Sequence, residues 1–197
     1  GPEFGFKIAK EFHEKSLNDT KYIATAEMWY NRLYNDGRKN VAIMLANFYR
    51  VHDRPTDAKH WYEIAYQEGN QDALPEIVNL CLAKNNVNEA AKWLLILVKN
   101  FPEKCRKYYN WMRDLANKYE SVGKLNEAET FYSAIGEYEP SELLHIVDMY
   151  LKCGKNTAAA NAYEKYINQI GFDFNLAMET SEKLIRDEQI QLGVKWC

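Results

Sequence analysis

The sequence predicts an all-α fold: a right-handed α-solenoid of about five stacked antiparallel helix pairs. Three observations carry that expectation. A small residue followed at a fixed step by an aromatic pair, or its apolar equivalent, recurs as Ala26-x-x-Trp29-Tyr30, Ala58-x-x-Trp61-Tyr62, Ala90-x-x-Trp93-Leu94 and Ala128-x-x-Phe131-Tyr132. Weaker copies stand at Ala159-x-x-Ala162-Tyr163 and Gly193-x-x-Trp196-Cys197. Successive copies lie 32, 32, 38, 31 and 34 residues apart, a period at which one helix pair cannot cover its own apolar face and stacks on the next. No segment sustains the period-two alternation of β-branched residues that a strand requires.

Each copy marks a second helix, and a partner helix precedes it. Ala46 and Tyr49 come before Ala58, Val78 and Cys81 before Ala90, Ala116 and Tyr119 before Ala128, and Val147 and Tyr150 before Ala159. Steps of three and four place each set on one helical stripe. His52-Asp53-Arg54-Pro55, Lys84-Asn85-Asn86, Ser121-Val122-Gly123-Lys124 and Lys152-Cys153-Gly154-Lys155 supply turn chemistry inside the pairs. Helices are therefore expected near 6–16, 20–36, 40–51, 55–68, 71–84, 87–100, 103–121, 125–137, 140–152, 156–169 and 174–190. The first copy carries a longer joint, Lys15 to Thr20, and the stretched spacing falls around Phe101-Pro102-Glu103-Lys104.

Gly1-Pro2-Glu3-Phe4 reads as the remnant of a cleaved tag and cloning site, leaving 5–197 as one continuous helical-repeat domain. Val194-Lys195-Trp196-Cys197 echoes Ala91-Lys92-Trp93-Leu94, the start of a second helix, so the sequence reads as a piece of a longer protein.

The residues resemble tetratricopeptide-type repeats. Leu115-Ala116-x-x-Tyr119, then Gly123-Lys124-Leu125-Asn126-Glu127-Ala128-x-x-x-Tyr132, then Pro140 follow that family's order, and Pro102 holds the closing position one copy earlier. Ala58-x-x-Trp61-Tyr62-x-x-Ala65-x-x-x-Gly69-Asn70-x-x-Ala73 is similar to the Sel-one-like subfamily, whose turn carries Gly-Asn where a tetratricopeptide carries Pro. Copies of 31 to 34 residues are short for that subfamily, and Ala46 and Val78 stand where it carries glycine. The likeness implies a non-enzymatic adaptor in a multi-protein assembly, in a bacterial envelope, secretion or host-contact setting. Sequence alone leaves the compartment open between periplasm or envelope and cytoplasm, and leaves the oligomeric state open.

Composition narrows the classes. Hydrophobic residues at 47% and charged residues at 27% belong to a folded chain. A formal charge of -3 offers no basic stripe, so nucleic acid is not the expected partner, and a pentatricopeptide-like RNA binder is disfavoured on the same ground. No apolar run exceeds the length of Trp93 to Val98, far short of the roughly 20 residues a bilayer span needs. Cys81, Cys105, Cys153 and Cys197 lack paired spacing, so neither zinc nor a dithiol redox site is expected, and Cys81 reads as a buried apolar thiol.

Catalytic constellations are not found, and no enzyme activity, cofactor or metal is expected. His13, His52, His60 and His145 are scattered; Gly154-Lys155 lacks the glycine and Ser/Thr of a phosphate loop. Glu11/Lys15 and Glu127/Lys124 are the interleaved charges of a solvated helix face. Asn18-Asp19-Thr20 fits a glycosylation sequon by spelling alone. The aromatic pairs are expected to fill the space between stacked pairs, with Trp61→Ala costing about 3–5 kcal/mol if that ring is fully buried.

One pattern points outward. After the small residue of each first helix stand Asn47, Asn79, Asn117 and, in the fourth copy, Asp148; Asn40, Arg50, Asn110 and Arg113 flank them by helical spacing. In tetratricopeptide-like arrays this place faces the concave groove. A carboxamide both donates and accepts, so a ladder of them can hold the backbone of an extended segment whatever its sequence. The alternative is that such half-exposed positions accommodate any small polar residue. The expected role is an interaction scaffold that binds another protein or a peptide segment. A helical arm of a larger enzyme or transport-complex subunit, with its working site elsewhere, is the second reading.

Overall fold

The computed structural model describes residues 2–171 together with Asn175, Met178 and Glu182. Ten α-helices follow in order, with no strand among the described residues: α1 Pro2–Ser16, α2 Ile23–Asn35, α3 Val41–Val51, α4 Pro55–Gln67, α5 Ala73–Ala83, α6 Val87–Asn100, α7 Tyr109–Ser121, α8 Leu125–Gly136, α9 Ser141–Lys152 and α10 Asn156–Ile170. The chain divides between Asn100 and Phe101 into two compact units. In the first, α1 pairs with α2, α3 with α4 and α5 with α6, and successive pairs stack through α2 on α3 and α4 on α5. In the second, α7 pairs with α8 and α9 with α10, joined by α8 on α9.

The elements lie where the periodicity puts them, with two differences. The expected helix over 103–121 is α-helical only from Tyr109; Pro102–Tyr108 forms a 3₁₀ helix with Pro102 in its first turn. These residues absorb the stretched 38-residue spacing, and the boundary between the units falls just before them. The helix at the start runs from Pro2, so the residues read as a cloning remnant continue α1. The helix expected at 174–190 and the sixth copy lie outside the described residues.

One turn closes every pair but the first. A residue with positive φ follows the first helix: Asp53 at 53°, Asn85 at 54°, Gly123 at 75° and Gly154 at 66°. The next backbone N–H then reaches back to the carbonyl of the anchor residue: Arg54 to Tyr49, Asn86 to Cys81, Lys124 to Tyr119 and Lys155 to Tyr150, each at 2.9 Å. This is the bonding of a Schellman stop, which satisfies a terminal carbonyl and suits Gly, Asn or Asp because their side chains tolerate the left-handed region.

The core is built from the recurring positions. Ala26, Ala58, Ala90, Ala128 and Ala159 are fully buried, and small side chains there let the paired backbones approach. The second member of each aromatic pair, Tyr30, Tyr62, Leu94, Tyr132 and Tyr163, is buried as completely. The first member is not: Trp29, Trp61 and Trp93 are half-buried, and only Phe131 and Ala162 are enclosed. The condition for the 3–5 kcal/mol cost is therefore met by Tyr62 and not by Trp61. The indoles do lie between successive pairs. Trp61 meets Tyr34 of the preceding pair edge-on with ring centroids 4.8 Å apart, and Trp93 meets Tyr66 in the same way at 5.8 Å.

Candidate protein-binding face on the first helices

The face of the first helices is organised by buried tyrosines. Tyr62 on α4 donates its hydroxyl hydrogen to Asn47 Oδ1 on α3 at 2.7 Å and accepts from Arg50 Nε at 3.2 Å. In the second unit the Tyr132 hydroxyl on α8 lies 2.7 Å from Asn117 Oδ1 on α7 and 2.9 Å from Glu120 Oε2, two acceptors that share its single hydrogen. Burial raises the pKa of both phenols, so both remain neutral donors. The tie follows from spacing: fifteen positions separate each asparagine from its tyrosine, across the same turn and the same stacked helices.

The other predicted residues divide into groups. Asn79 is exposed on α5, and its counterpart fifteen positions on is Leu94, which has no hydroxyl to offer. Asp148 is exposed on α9 in the same register, opposite the buried Tyr163. Asn110 is exposed in the first turn of α7. Asn40 caps the start of α3 without a side-chain capping bond and lines a shallow hollow with Glu68, Gly69, Asn70 and Asp72, at the loop end of the stripe.

Both arginines bridge neighbouring pairs. Arg50 Nε lies 4.0 Å from Glu76 Oε2 on α5. Arg113 Nε donates to Glu142 Oε1 at 2.9 Å and its Nη2 reaches Glu139 Oε2 at 3.3 Å, tying α7 to the start of α9. These half-exposed groups contribute more to alignment than to stability, since such pairs are worth about 0–1 kcal/mol.

In the first unit the face has a cavity. Lys10, His13 and Glu14 from α1, Leu17 just after it, Tyr30 from α2, and Met44 and Asn47 from α3 line a hollow of about 360 Å³. Leu17 is exposed, so the hollow has an apolar rim beside the Asn47 carboxamide. Asn47 Nδ2 has no acceptor among the described residues, because its partner Tyr62 bonds the oxygen. A donor fixed at the edge of an apolar hollow can hold a backbone carbonyl while the hollow takes a side chain.

Polar clusters beneath this face explain the histidines. His13 Nδ1 is 2.9 Å from the Tyr30 hydroxyl, and His52 Nε2 is 2.8 Å from Ser16 Oγ, which also donates to the His13 carbonyl at 2.6 Å. Both rings pack edge-on against the buried Phe48. Burial holds both imidazoles below their ordinary pKa, with His52 adding to the effect on His13 and Arg54 to that on His52. His145 Nε2 sits 3.1 Å from Glu120 Oε2. Burial alone would raise the Glu120 carboxyl, but its bonds to His145 and Tyr132 outweigh that and lower it. His60 packs against Trp61. Among the described residues no group of histidine, cysteine and carboxylate side chains could hold a metal, and no helix is long and apolar enough to cross a membrane.

A second recurring tie escaped the sequence reading. Tyr49 donates to Glu27 Oε1 at 2.7 Å, and Tyr150 to Glu129 Oε2 at 2.6 Å, each joining the anchor of one pair to the residue after the buried alanine of the pair before. In the middle copy both partners change together: Cys81 replaces the tyrosine, and Lys59, held by Glu63 at 3.2 Å and by Glu89, replaces the glutamate. The repeated offset of 21 or 22 positions was the available signal.

Comparison with solved structures agrees with this architecture. A structure of MamA AMB-1 superposes with a TM-score of 0.50 at 16% identity, covering 86% of this chain and 96% of that one. The shared fold is a stack of antiparallel helix pairs. Another MamA crystal structure gives a TM-score of 0.48 at 15% identity over 92% of this chain and 94% of that one. YrrB, described as a tetratricopeptide protein with an unusual peptide-binding site, gives 0.47 at 18% over 79% and 82%. No protein-family model matches the sequence, and no curated protein matches it.

Proposed function

We propose that this chain is a non-enzymatic interaction scaffold that holds extended segments of another protein along the face of the first helices within each unit. The observation that carries the reading is the pair of equivalent carboxamides, Asn47 and Asn117, each pinned through its oxygen by a buried tyrosine. Pinning fixes the amide plane and leaves the N–H₂ group to donate to a peptide carbonyl without loss of side-chain entropy on binding. Asn79 follows Asn47 in the first unit, with Asn40 and Arg50 beside them, and the acceptor Asp148 follows Asn117 in the second, with Asn110 and Arg113 beside them. An acidic chain without a basic stripe favours protein over nucleic acid. The Gly69-Asn70 turn, with Gly69 at a φ of 97°, supports a Sel-one-like adaptor, and a bacterial envelope or secretion assembly is the setting that likeness suggests.

The test separates the two ends of the carboxamide. Binders are selected from a displayed library of random short peptides, and their affinity is measured for the parent chain and for Asn47→Asp/Asn117→Asp. Aspartate keeps the oxygen that the tyrosine needs and removes the donor. Affinity is expected to fall about tenfold or more with the helical spectrum unchanged. Unchanged affinity, or a footprint confined to the second helices, would overturn the reading.

A further inference from the structure

Position for position, the groups beside the two carboxamides are reversed in charge. Three residues after Asn47 stands Arg50, whose Nε donates to the Tyr62 hydroxyl at 3.2 Å and lies 4.0 Å from Glu76 Oε2 on α5. Three residues after Asn117 stands Glu120 instead. Glu76 precedes Asn79 by three positions; the residue that precedes Asp148 by three is His145. An arginine facing a carboxylate has become a carboxylate facing a histidine.

The exchange changes what the tyrosine hydrogen can do. Arg50 only donates, so among the described residues Tyr62 has one acceptor for its hydrogen, Asn47. Tyr132 has two: Asn117 Oδ1 at 2.7 Å and Glu120 Oε2 at 2.9 Å. The same Glu120 oxygen lies 3.1 Å from His145 Nε2, and the centroid of the His145 ring is 4.5 Å from that of Tyr132. Burial holds the Tyr132 hydroxyl protonated, with Glu120 adding to the effect, so one hydrogen is present and contested.

Charge decides such a contest. A hydrogen bond to a carboxylate is roughly twice as strong as one to a neutral carboxamide. Burial would raise the Glu120 carboxyl, but its bonds to His145 and Tyr132 lower it, so it stays ionised. Beside a neutral imidazole, Glu120 takes the hydrogen and Asn117 loses the bond that fixes its amide plane. An imidazolium draws the carboxylate charge to itself, and the hydrogen passes to Asn117. The other charged groups near this set are Arg113, held by Glu139 and Glu142, Asp148, and Lys152, which acts on Glu120 from the end of α9. From α10 come the buried Tyr163 and Tyr166, the exposed Glu164, and Lys165, which Glu129 of α8 holds. Histidine is the side chain whose charge changes in the neutral range, and with 41% of its side chain exposed His145 exchanges protons with solvent.

We propose that His145 is a proton switch for Asn117. Protonated, it yields the Tyr132 hydrogen to the carboxamide oxygen and fixes the N–H₂ group outward; neutral, it leaves the hydrogen with Glu120 and the carboxamide untethered. The second unit then holds its donor ready only in mild acid, whereas arginine sets that of the first unit at any pH. The consequence for binding rests on the reading of Asn47 and Asn117 as holders of a peptide backbone; the switch itself does not.

The experiment follows the full chain by NMR from about pH 8 to about pH 5, the span in which an imidazole gains its proton. The side-chain N–H₂ resonances of Asn117, assigned by their loss in Asn117→Asp, are expected to move with the midpoint of the His145 ring. His145→Gln should stop that movement and leave any change at Asn47 as it was. Glu120→Gln should also stop it although His145 still titrates. Movement that survives Glu120→Gln would report a nearby charge alone and overturn the switch, as would still Asn117 resonances while His145 titrates. Among the displayed peptides, those weakened by Asn117→Asp should bind about threefold or more tightly at the acid end, and His145→Gln should flatten that gain. Equal affinity at both ends would overturn the coupling to binding. Should no peptide depend on Asn117, the backbone-holding reading fails, while the resonances still decide the switch.

Discussion

The Tyr132 hydroxyl lies 2.7 Å from Asn117 Oδ1, sharing its hydrogen with Glu120, and Tyr62 gives its own to Asn47 across the same distance, although the two bonds lie in different units of the chain. A buried phenol that loses its acceptor retains the desolvation cost without the bond. Asn47→Ala should therefore destabilise by about 1–3 kcal/mol, while Asn47→Asp should be near neutral. Urea unfolding midpoints of the two variants check this; equal losses would show that the oxygen is not what matters.

Burial distinguishes the two members of each aromatic pair. Tyr62 is fully enclosed and Trp61 is half-exposed. Tyr62→Ala should cost about 3–5 kcal/mol, and Trp61→Ala should cost clearly less although its side chain is larger. Thermal and denaturant melts of both variants decide the order, and the reverse order would contradict the packing described.

The histidines between α1 and α3 make stability fall in mild acid. Their folded pKa values lie below the ordinary imidazole value, so the unfolded chain binds the protons first. Their contribution is fully present above about pH 6.5 and is lost as pH falls from there through the lowered folded values. Unfolding midpoints measured from pH 8 to pH 5 should drop across this window. The drop should shrink in His52→Asn; an unchanged profile in that variant would remove His52 from the account.

Gly136, the last residue of α8, leaves no room for a side chain. A Cβ there would stand 2.6 Å from Leu143 Cδ2 and 2.7 Å from its Cγ, and Leu143 is itself buried. Gly136→Ala should destabilise despite the better helix propensity of alanine, because overpacking costs about 1–3 kcal/mol. A melting temperature at or above the parent's would show that α9 shifts freely.

Burial pushes the Cys81 thiol up to about 11, with nearby Glu89 adding to it, while Cys153 is exposed. Residue-resolved mass spectrometry after brief alkylation at pH 8 should find Cys153 modified and Cys81 largely intact. Comparable labelling of the two would place Cys81 outside the core.

The helix pairs were legible because the alanine and the buried tyrosine, or Leu94 in the third copy, do one job in every copy, and repetition turns a weak local signal into a register. The 3₁₀ segment after Pro102 was visible only as added length, since spacing cannot say how extra residues coil. The carboxamide row was legible as spacing, but its tether was not. Asn47 and Tyr62 were each read for a separate role, and only the stacked helices show that one holds the other. Tyr49 with Glu27 was missed for a related reason: its repeat is broken before Tyr150 and Glu129, with Cys81 and Lys59 in one copy and Ala91 in place of the glutamate in the next.

The side-chain bonds described above join groups no more than 36 positions apart. Closing such short loops costs little entropy, and chains dominated by near-neighbour links assemble quickly. A hairpin leaving the ribosome would find its docking surface already made by the one before it, so the molecule can be built in the order in which it is translated.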